Sequence, residues 1–194
     1  MIWMQPVSME SEVIGIKGDD SMELWNVYDI HRIKTDRTAI RGDKLEPGDF
    51  HLVVHACLFN SQGDMLIQQR QPFKEAWPDM WDMMVGGSAL TGETSQAAVQ
   101  RELNEELGID LNFHDVRPHL TMNFGRVFDD IYLVERDVEL NTLSLQYEEV
   151  KDAKWASKEV IIDMIDSGEF IPYYPSFIHL LFDIRKQQGA IQRK

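Results

Sequence analysis

Apolar and polar positions along this chain form short blocks that switch between a strand period and a helix period. Residues 51–59 make a nearly continuous apolar run, which predicts a central strand. The turn Asn60-Ser61-Gln62-Gly63 leads it into a hairpin partner over 65–69. Upstream, residues 23–30 are strand-like, and 31–45 carry polar, basic turns through Arg37 and Arg41. A loop over 71–80, bounded by Pro72 and Pro78, precedes a short buried strand over 81–85 that ends at Gly86-Gly87. The period then changes. Val99, Leu103 and Leu107 form one stripe of a helix over 94–107, with Thr94 or Ser95 as N-cap and Gly108 as its terminator. Two strands over 116–123 and 127–138 flank Gly125, and a shorter one covers 150–155. Ser157 caps a helix that Gly168 ends, and Pro175 suits the first turn of a last helix running to about residue 186. Mixed strands with a few helices predict an α+β sandwich. Residues 1–21 show no sustained period and end in GDDS, so they are expected to be a loosely held arm or an extra edge strand before one domain over 22–194.

Chemistry enters with the helix over 94–107. Glu102, Glu105 and Glu106 lie three and four residues apart and share one face, about a quarter-turn from the apolar stripe. Three carboxylates within one turn repel one another unless a cation sits among them. An all-oxygen set suits Mg²⁺, with Mn²⁺ as the alternative. Glu93 and Arg101 accompany them, and Gly87 and Gly108 bracket the segment.

These residues fit the signature Gly-x5-Glu-x7-Arg-Glu-U-x-Glu-Glu-x-Gly-U, where U is bulky aliphatic. Gly87, Glu93, Arg101, Glu102, Leu103, Glu105, Glu106, Gly108 and Ile109 complete it. A chance match in a chain this long has a probability on the order of 10⁻⁷. The segment thus resembles the Nudix family, which implies an α/β/α sandwich with a mixed sheet. It also implies metal-dependent cleavage of a diphosphate linkage by an activated water. By that resemblance Glu102, Glu106 and Glu105 are metal ligands, joined by the backbone carbonyl of Gly87. Arg101 and Glu93 form an ion pair that holds the loop against the helix. Glu102 and Glu105 also count among the catalytic residues. A base from outside the motif is common in the family, and Glu148 and Glu149 are candidates for it, with Glu149 preferred.

Arg70 and Lys74 are two of few cations on an acidic chain, placed where a loop covers the cleft. Paired cations suit phosphate oxygens, which makes them candidate diphosphate ligands. His51 and His55 are four apart on a strand, too far for an easy joint ligand pair, and each is expected to be hydrogen-bonded at the sheet or to face the cleft. Trp25, Trp77, Trp81 and Trp155 are expected in the core or as loop anchors. Cys57 sits in an apolar run and is expected to be an inert buried thiol.

Residues 50–109 also resemble the type I isopentenyl-diphosphate isomerases of the same superfamily. The shared features are the LFN turn, Arg70, Lys74, Ala76-Trp77-Pro78 and Trp81, and in those enzymes residues like Arg70 and Lys74 hold the diphosphate. The catalytic cysteine, however, falls at Gly86 and a metal-ligand histidine at Ser88. His51 matches another metal histidine. Asp130 echoes one member of the acidic pair, and Phe128 stands in place of the other. The balance favours a hydrolase of the isomerase-like bacterial subgroup, from which GEFIPY over 168–173 is also familiar. The alternatives are an isomerase-like enzyme or a non-catalytic ligand-binding domain.

Composition narrows the partners. A formal net charge of −14 argues against a nucleic-acid binder but not against a small phosphorylated substrate, because bound cations reverse the local field. The single cysteine excludes an intramolecular disulfide. The N-terminus lacks a basic region followed by an apolar core, and no run approaches the roughly 18 apolar residues of a membrane span. A cytoplasmic enzyme of a small-molecule diphosphate is expected, with a homodimer suggested by family habit.

Overall fold

The computed structural model describes residues 23–83 and 85–186; the expected arm over 1–21 lies outside the described residues. Two strands, β1 (Leu24–Tyr28) and β2 (Lys34–Ile40), pair antiparallel as a separate hairpin. The second is a strand where only polar turns were expected. Its sequence, KTDRTAI, carries no buried side chain, so it has no apolar alternation to betray it. Bridges Trp25–Leu90 and Tyr28–Phe50 tie the hairpin to the rest.

Among the described residues the main sheet holds seven strands. The predicted central strand is β3 (His51–Phe59), followed by β4 (Met65–Arg70). The expected strand over 81–85 divides in two, β5 (Trp81–Asp82) and β6 (Val85–Ser88), and runs through the glycine pair rather than stopping at it. After the long helix α1 (Ser95–Leu107) come β7 (Leu120–Phe124) and β8 (Val127–Glu135). Next follow a 3₁₀ turn at Leu140–Thr142 and β9 (Val150–Ala156). Two helices, α2 (Lys158–Ser167) and α3 (Pro175–Ile184), end the described chain. The strand expected from 116 starts only at Leu120, because Pro118 has no N–H to give a ladder and Asp115 takes a positive φ of 63°.

Pairing explains where a cleft must open. β3 and β8 run parallel over nine residue pairs, from His51↔Val127 to Phe59↔Glu135. β3 meets β4 only at Phe59↔Met65. Beyond that point β6 occupies the edge of β3, while β5 and β9 take the two edges of β4. The two halves of the sheet therefore splay into a wedge.

Alternation along β3 and β8 sends side chains to two cores. Leu52, Val54, Ala56, Leu58 and Tyr132 pack on Ala98, Val99, Leu103 and Leu107 of α1. Cys57, Phe59, Ile131 and Leu133 pack on Ile161 and Met164 of α2 and on Ile178, Leu181 and Phe182 of α3. Each such side chain contributes on the order of 1.5–3 kcal/mol by leaving water. The result is the helix–sheet–helix sandwich the resemblance implied. Among the described residues no helix is long and apolar enough to cross a membrane.

Candidate active site

Helix α1 delivers the carboxylates to the wedge, and its ends are fixed. Thr94 Oγ1 accepts from Ala97 N at 3.2 Å. At the other end Gly108 adopts φ 70°, and its N–H donates to Asn104 O at 2.9 Å. With the stripe Val99–Leu103–Leu107 buried, the adjacent face must present Glu102 and Glu106 to β6 and β4.

Arg101 organises the cluster. Its Nε and Nη2 donate to Glu93 Oε1 and Oε2 at 2.8 and 3.0 Å. Nη1 donates to Glu102 Oε1 at 2.8 Å and to Glu105 Oε2 at 2.9 Å, and Nη2 also reaches Ser88 O at 3.1 Å. Glu93 Oε2 accepts a further bond from Leu90 N at 2.8 Å. Burial pushes the Glu93 carboxyl up, but the bonds from Arg101 and Leu90 outweigh it and hold the group below its ordinary value. The Glu93–Arg101 pair thus spans the loop and the helix.

Glu106 is in a different state. It is 6% exposed, accepts from Gln68 Nε2 at 2.9 Å, and burial pushes its carboxyl up to about 8. The charges of Glu102 and Glu149 add to the shift, while Gln68 and His55 oppose it. Burial also raises Glu102, against the pull of Arg101. Glu102 lies directly on Gly87, where an added Cβ would stand 2.7 Å from Oε1. The backbone of Gly87 and the Glu102 carboxylate are therefore neighbours, as a shared ligand role requires.

Among the described residues no three His, Cys, Asp or Glu side chains are already gathered as a metal cage. Arg101 accounts for this by drawing Glu102 and Glu105 to its own guanidinium. The donors nevertheless fit a hard cation. They are all oxygens, they line one cavity of about 120 Å³, and burial together with the charges of Glu102 and Glu149 pushes the Glu106 carboxyl up, a strain that an added cation would relieve.

Glu149 lines that cavity together with Glu23, Arg41 and Gln146. Glu148 is exposed and lies outside it, which separates the two candidates. Glu149 is not alone, because Lys74 Nζ lies 2.5 Å from its Oε2. Arg70, at the end of β4, donates from Nε to Ala76 O at 3.0 Å, in the loop that follows. The two expected diphosphate ligands are thus engaged with a carboxylate and a carbonyl.

Several residues at the site escaped the sequence reading. Gln68 sits in MLIQQR, where two amides close an otherwise apolar strand, and that break in pattern was its signal. Glu23 and Arg41, paired at 2.8 Å, arrive on the N-terminal hairpin, and nothing local marked them. His55 is bonded through Nδ1 to Asp129 Oδ1 at 2.7 Å. Burial would lower its pKa, but Asp129, Asp82 and Glu106 raise it.

Positions shared with the isomerases have other uses. An added Cβ at Gly86 would meet the Val54 carbonyl oxygen at 2.0 Å, so no cysteine fits without moving backbone. His51 stacks on Trp25 at 4.2 Å, and burial lowers its pKa. Asp130 is fully buried and accepts from Arg32, from Ser95 Oγ at 2.6 Å and from Thr121 Oγ1 at 2.7 Å. Phe128 packs against Phe50. Burial pushes the Cys57 thiol well up, so it is inert. Trp81 is buried under Lys154 Nζ, 4.1 Å from its ring centroid, and Trp155 Nε1 donates to Val138 O at 3.3 Å. Trp77 remains 48% exposed in the covering loop.

The NUDIX domain profile matches residues 49–174. An uncharacterized Nudix hydrolase of Listeria monocytogenes is 47% identical over 164 residues, covering 84% of this chain and 96% of that protein. An isopentenyl-diphosphate Delta-isomerase of Citrobacter koseri is 30% identical over 123 residues, covering 61% of this chain and 68% of its own length. A solved structure from Deinococcus radiodurans superposes with a TM-score of 0.64 at 25% identity, covering 82% of this chain and 97% of that one. With an intact carboxylate motif on a splayed mixed sheet, and no room at Gly86 for the isomerase cysteine, the chain belongs to the Nudix family of hydrolases.

Proposed function

We propose that the protein cleaves the diphosphate linkage of an organic diphosphate, such as a nucleoside diphosphate derivative, with Mg²⁺ or Mn²⁺ as cofactor. The observation that carries this reading is one cavity lined by Glu102, Glu105, Glu106 and Glu149, with Glu106 buried and bonded to Gln68. Glu102, Glu106 and the Gly87 carbonyl would hold the cation, with Glu105 beside them. The cation would supply neutralisation of the phosphoryl oxygens and acidification of a water.

The remaining work falls to side chains. Glu149, facing the same cavity, accepts the proton of the attacking water, with Glu105 as the other candidate. Lys74 leaves Glu149 to meet the diphosphate, and Arg70 binds the same group from the end of β4. Arg101 and Glu93 keep the loop against α1, so that Gly87 and Glu102 stay adjacent. Gly86 supports hydrolysis over isomerisation, because alkene protonation lacks its thiol there.

The test is a product assay over nucleotide sugars, dinucleotides, nucleoside triphosphates and prenyl diphosphates, with Mg²⁺ and then Mn²⁺. Phosphate-containing products that vanish on chelation are expected. Silence across the panel with both metals overturns the reading.

A further inference from the structure

Two aromatic side chains flank the Lys74–Glu149 ion pair, and neither belongs to the carboxylate motif or to the features shared with the isomerases. Phe73 precedes Lys74 in the covering loop. Tyr147 stands between Gln146 and Glu149, both of which line the carboxylate cavity. The two ring centres lie 5.8 Å apart, with their planes at 42°. Phe73 is 56% exposed and Tyr147 71%, so most of this aromatic surface faces water.

The rings are not needed to hold the loop. Gln71 N donates to Glu149 O and Gln71 Nε2 to Val150 O, each at 3.2 Å, which fastens the loop to the start of β9. Glu149 N and Val150 N donate to Gln146 O at 3.0 and 2.8 Å and close the turn that carries Tyr147. Backbone bonds thus place both rings. Ion pair and ring pair span the same gap, between residues 73–74 and 147–149. A diphosphate that takes up Lys74 enters a gap whose other bridge is aromatic.

We propose that Phe73 and Tyr147 are specificity-determining residues, which offer their ring faces to a flat aromatic group in the organic part of the substrate. This rests on the hydrolase reading above. Stacking of a base on an aromatic side chain strengthens binding roughly five- to a hundredfold and tolerates any base, since each has a π-face. An alkyl group would gain buried area there but not the added attraction of offset or edge-on rings.

Calorimetric titration of the full chain with Mg²⁺ tests the assignment apart from turnover. The probes are α,β-methylene-ADP and methylenediphosphonate, which share an unhydrolysable phosphorus–carbon–phosphorus group and differ by the nucleoside. The nucleotide should bind at least about 30-fold more tightly. Phe73→Ala and Tyr147→Leu, both at exposed positions, should each cut that preference about tenfold while methylenediphosphonate binds as before, and Tyr147→Phe should keep it. Equal or absent binding of the two probes, a preference untouched by both variants, or an equal weakening of both probes overturns the assignment. The last outcome would make the rings loop anchors only. The two readings fail separately. A ring-dependent preference without hydrolysis of any diphosphate sinks the enzyme assignment, whereas hydrolysis together with equal probe binding sinks only the aromatic one.

Discussion

Lys74 and Glu149 meet at 2.5 Å, so the candidate phosphate ligand and the candidate base hold each other in the free protein. Binding a diphosphate must therefore exchange one partner of Lys74 for another, and that exchange frees the Glu149 carboxylate on the cavity side. Glu149→Gln should lower kcat by roughly 10²–10⁴ with little change in KM. Lys74→Met should chiefly raise KM, by about tenfold. Because the two residues act on one another, the double variant should depart from additivity in steady-state kinetics. A Glu149→Gln enzyme with unreduced kcat would remove this residue from catalysis.

Glu106→Gln keeps the bond to Gln68 in reach but cannot become an anionic ligand. Turnover should drop roughly 10³-fold or more, the same loss expected on stripping metal from the parent. Thermal melting of the metal-free variant should not fall, since a costly buried carboxyl has been replaced by a neutral group. A variant that melts early would assign Glu106 to the fold instead.

The same residue fixes a pH dependence. Its folded value is raised from the ordinary 4.5 to about 8, so between those limits the folded state binds more protons than the unfolded chain. Stability from this group is fully present below about 4.5 and declines as pH rises toward 8, by a few kcal/mol at most. Chemical denaturation of the metal-free protein should show that decline. Saturating Mg²⁺ should reduce it, and Glu106→Gln should flatten it. A metal-free profile that rises with pH across the window would contradict the assigned burial.

Arg101→Ala removes the donor shared by Glu93, Glu102 and Glu105. The site is partly exposed, so the loss is expected at about 2–3 kcal/mol, below that of a fully buried pair. Arg101→Lys should restore only part of it, since an ammonium cannot make the paired contacts to Glu93. Calorimetric metal affinity should fall with both variants, and equal stability of Ala and parent proteins would refute the clamp.

Gly86→Cys with Ser88→His restores the missing isomerase groups on paper. The cysteine Cβ must displace Val54 O from 2.0 Å, so the variant should melt lower and gain no isotope exchange at an allylic carbon.

The sequence made α1 legible almost residue by residue, because its cap, stripe and terminator are local signals. The glutamate cluster followed from the same helix. What it concealed depends on distance along the chain. Glu23 and Arg41 reach the cavity from a hairpin whose second strand is exposed throughout and has no alternation. The wedge arises because β5 and β6 choose different partners, a tertiary outcome that the short run over 81–85 could not announce. Lys74 and Glu149 were each visible as candidates, but their mutual contact was not.

The capped helix α1 also works as a ruler. Its rise of about 1.5 Å and turn of about 100° per residue set the separation between Glu102 and Glu106. Point changes at the carboxylates alter one oxygen at a time. A residue inserted between 102 and 106 would swing Glu106 through about 100°, off Gln68 and onto the apolar stripe, and a deletion would swing it as far the other way, to the exposed position of Glu105. The site can therefore vary in chemistry but not in length.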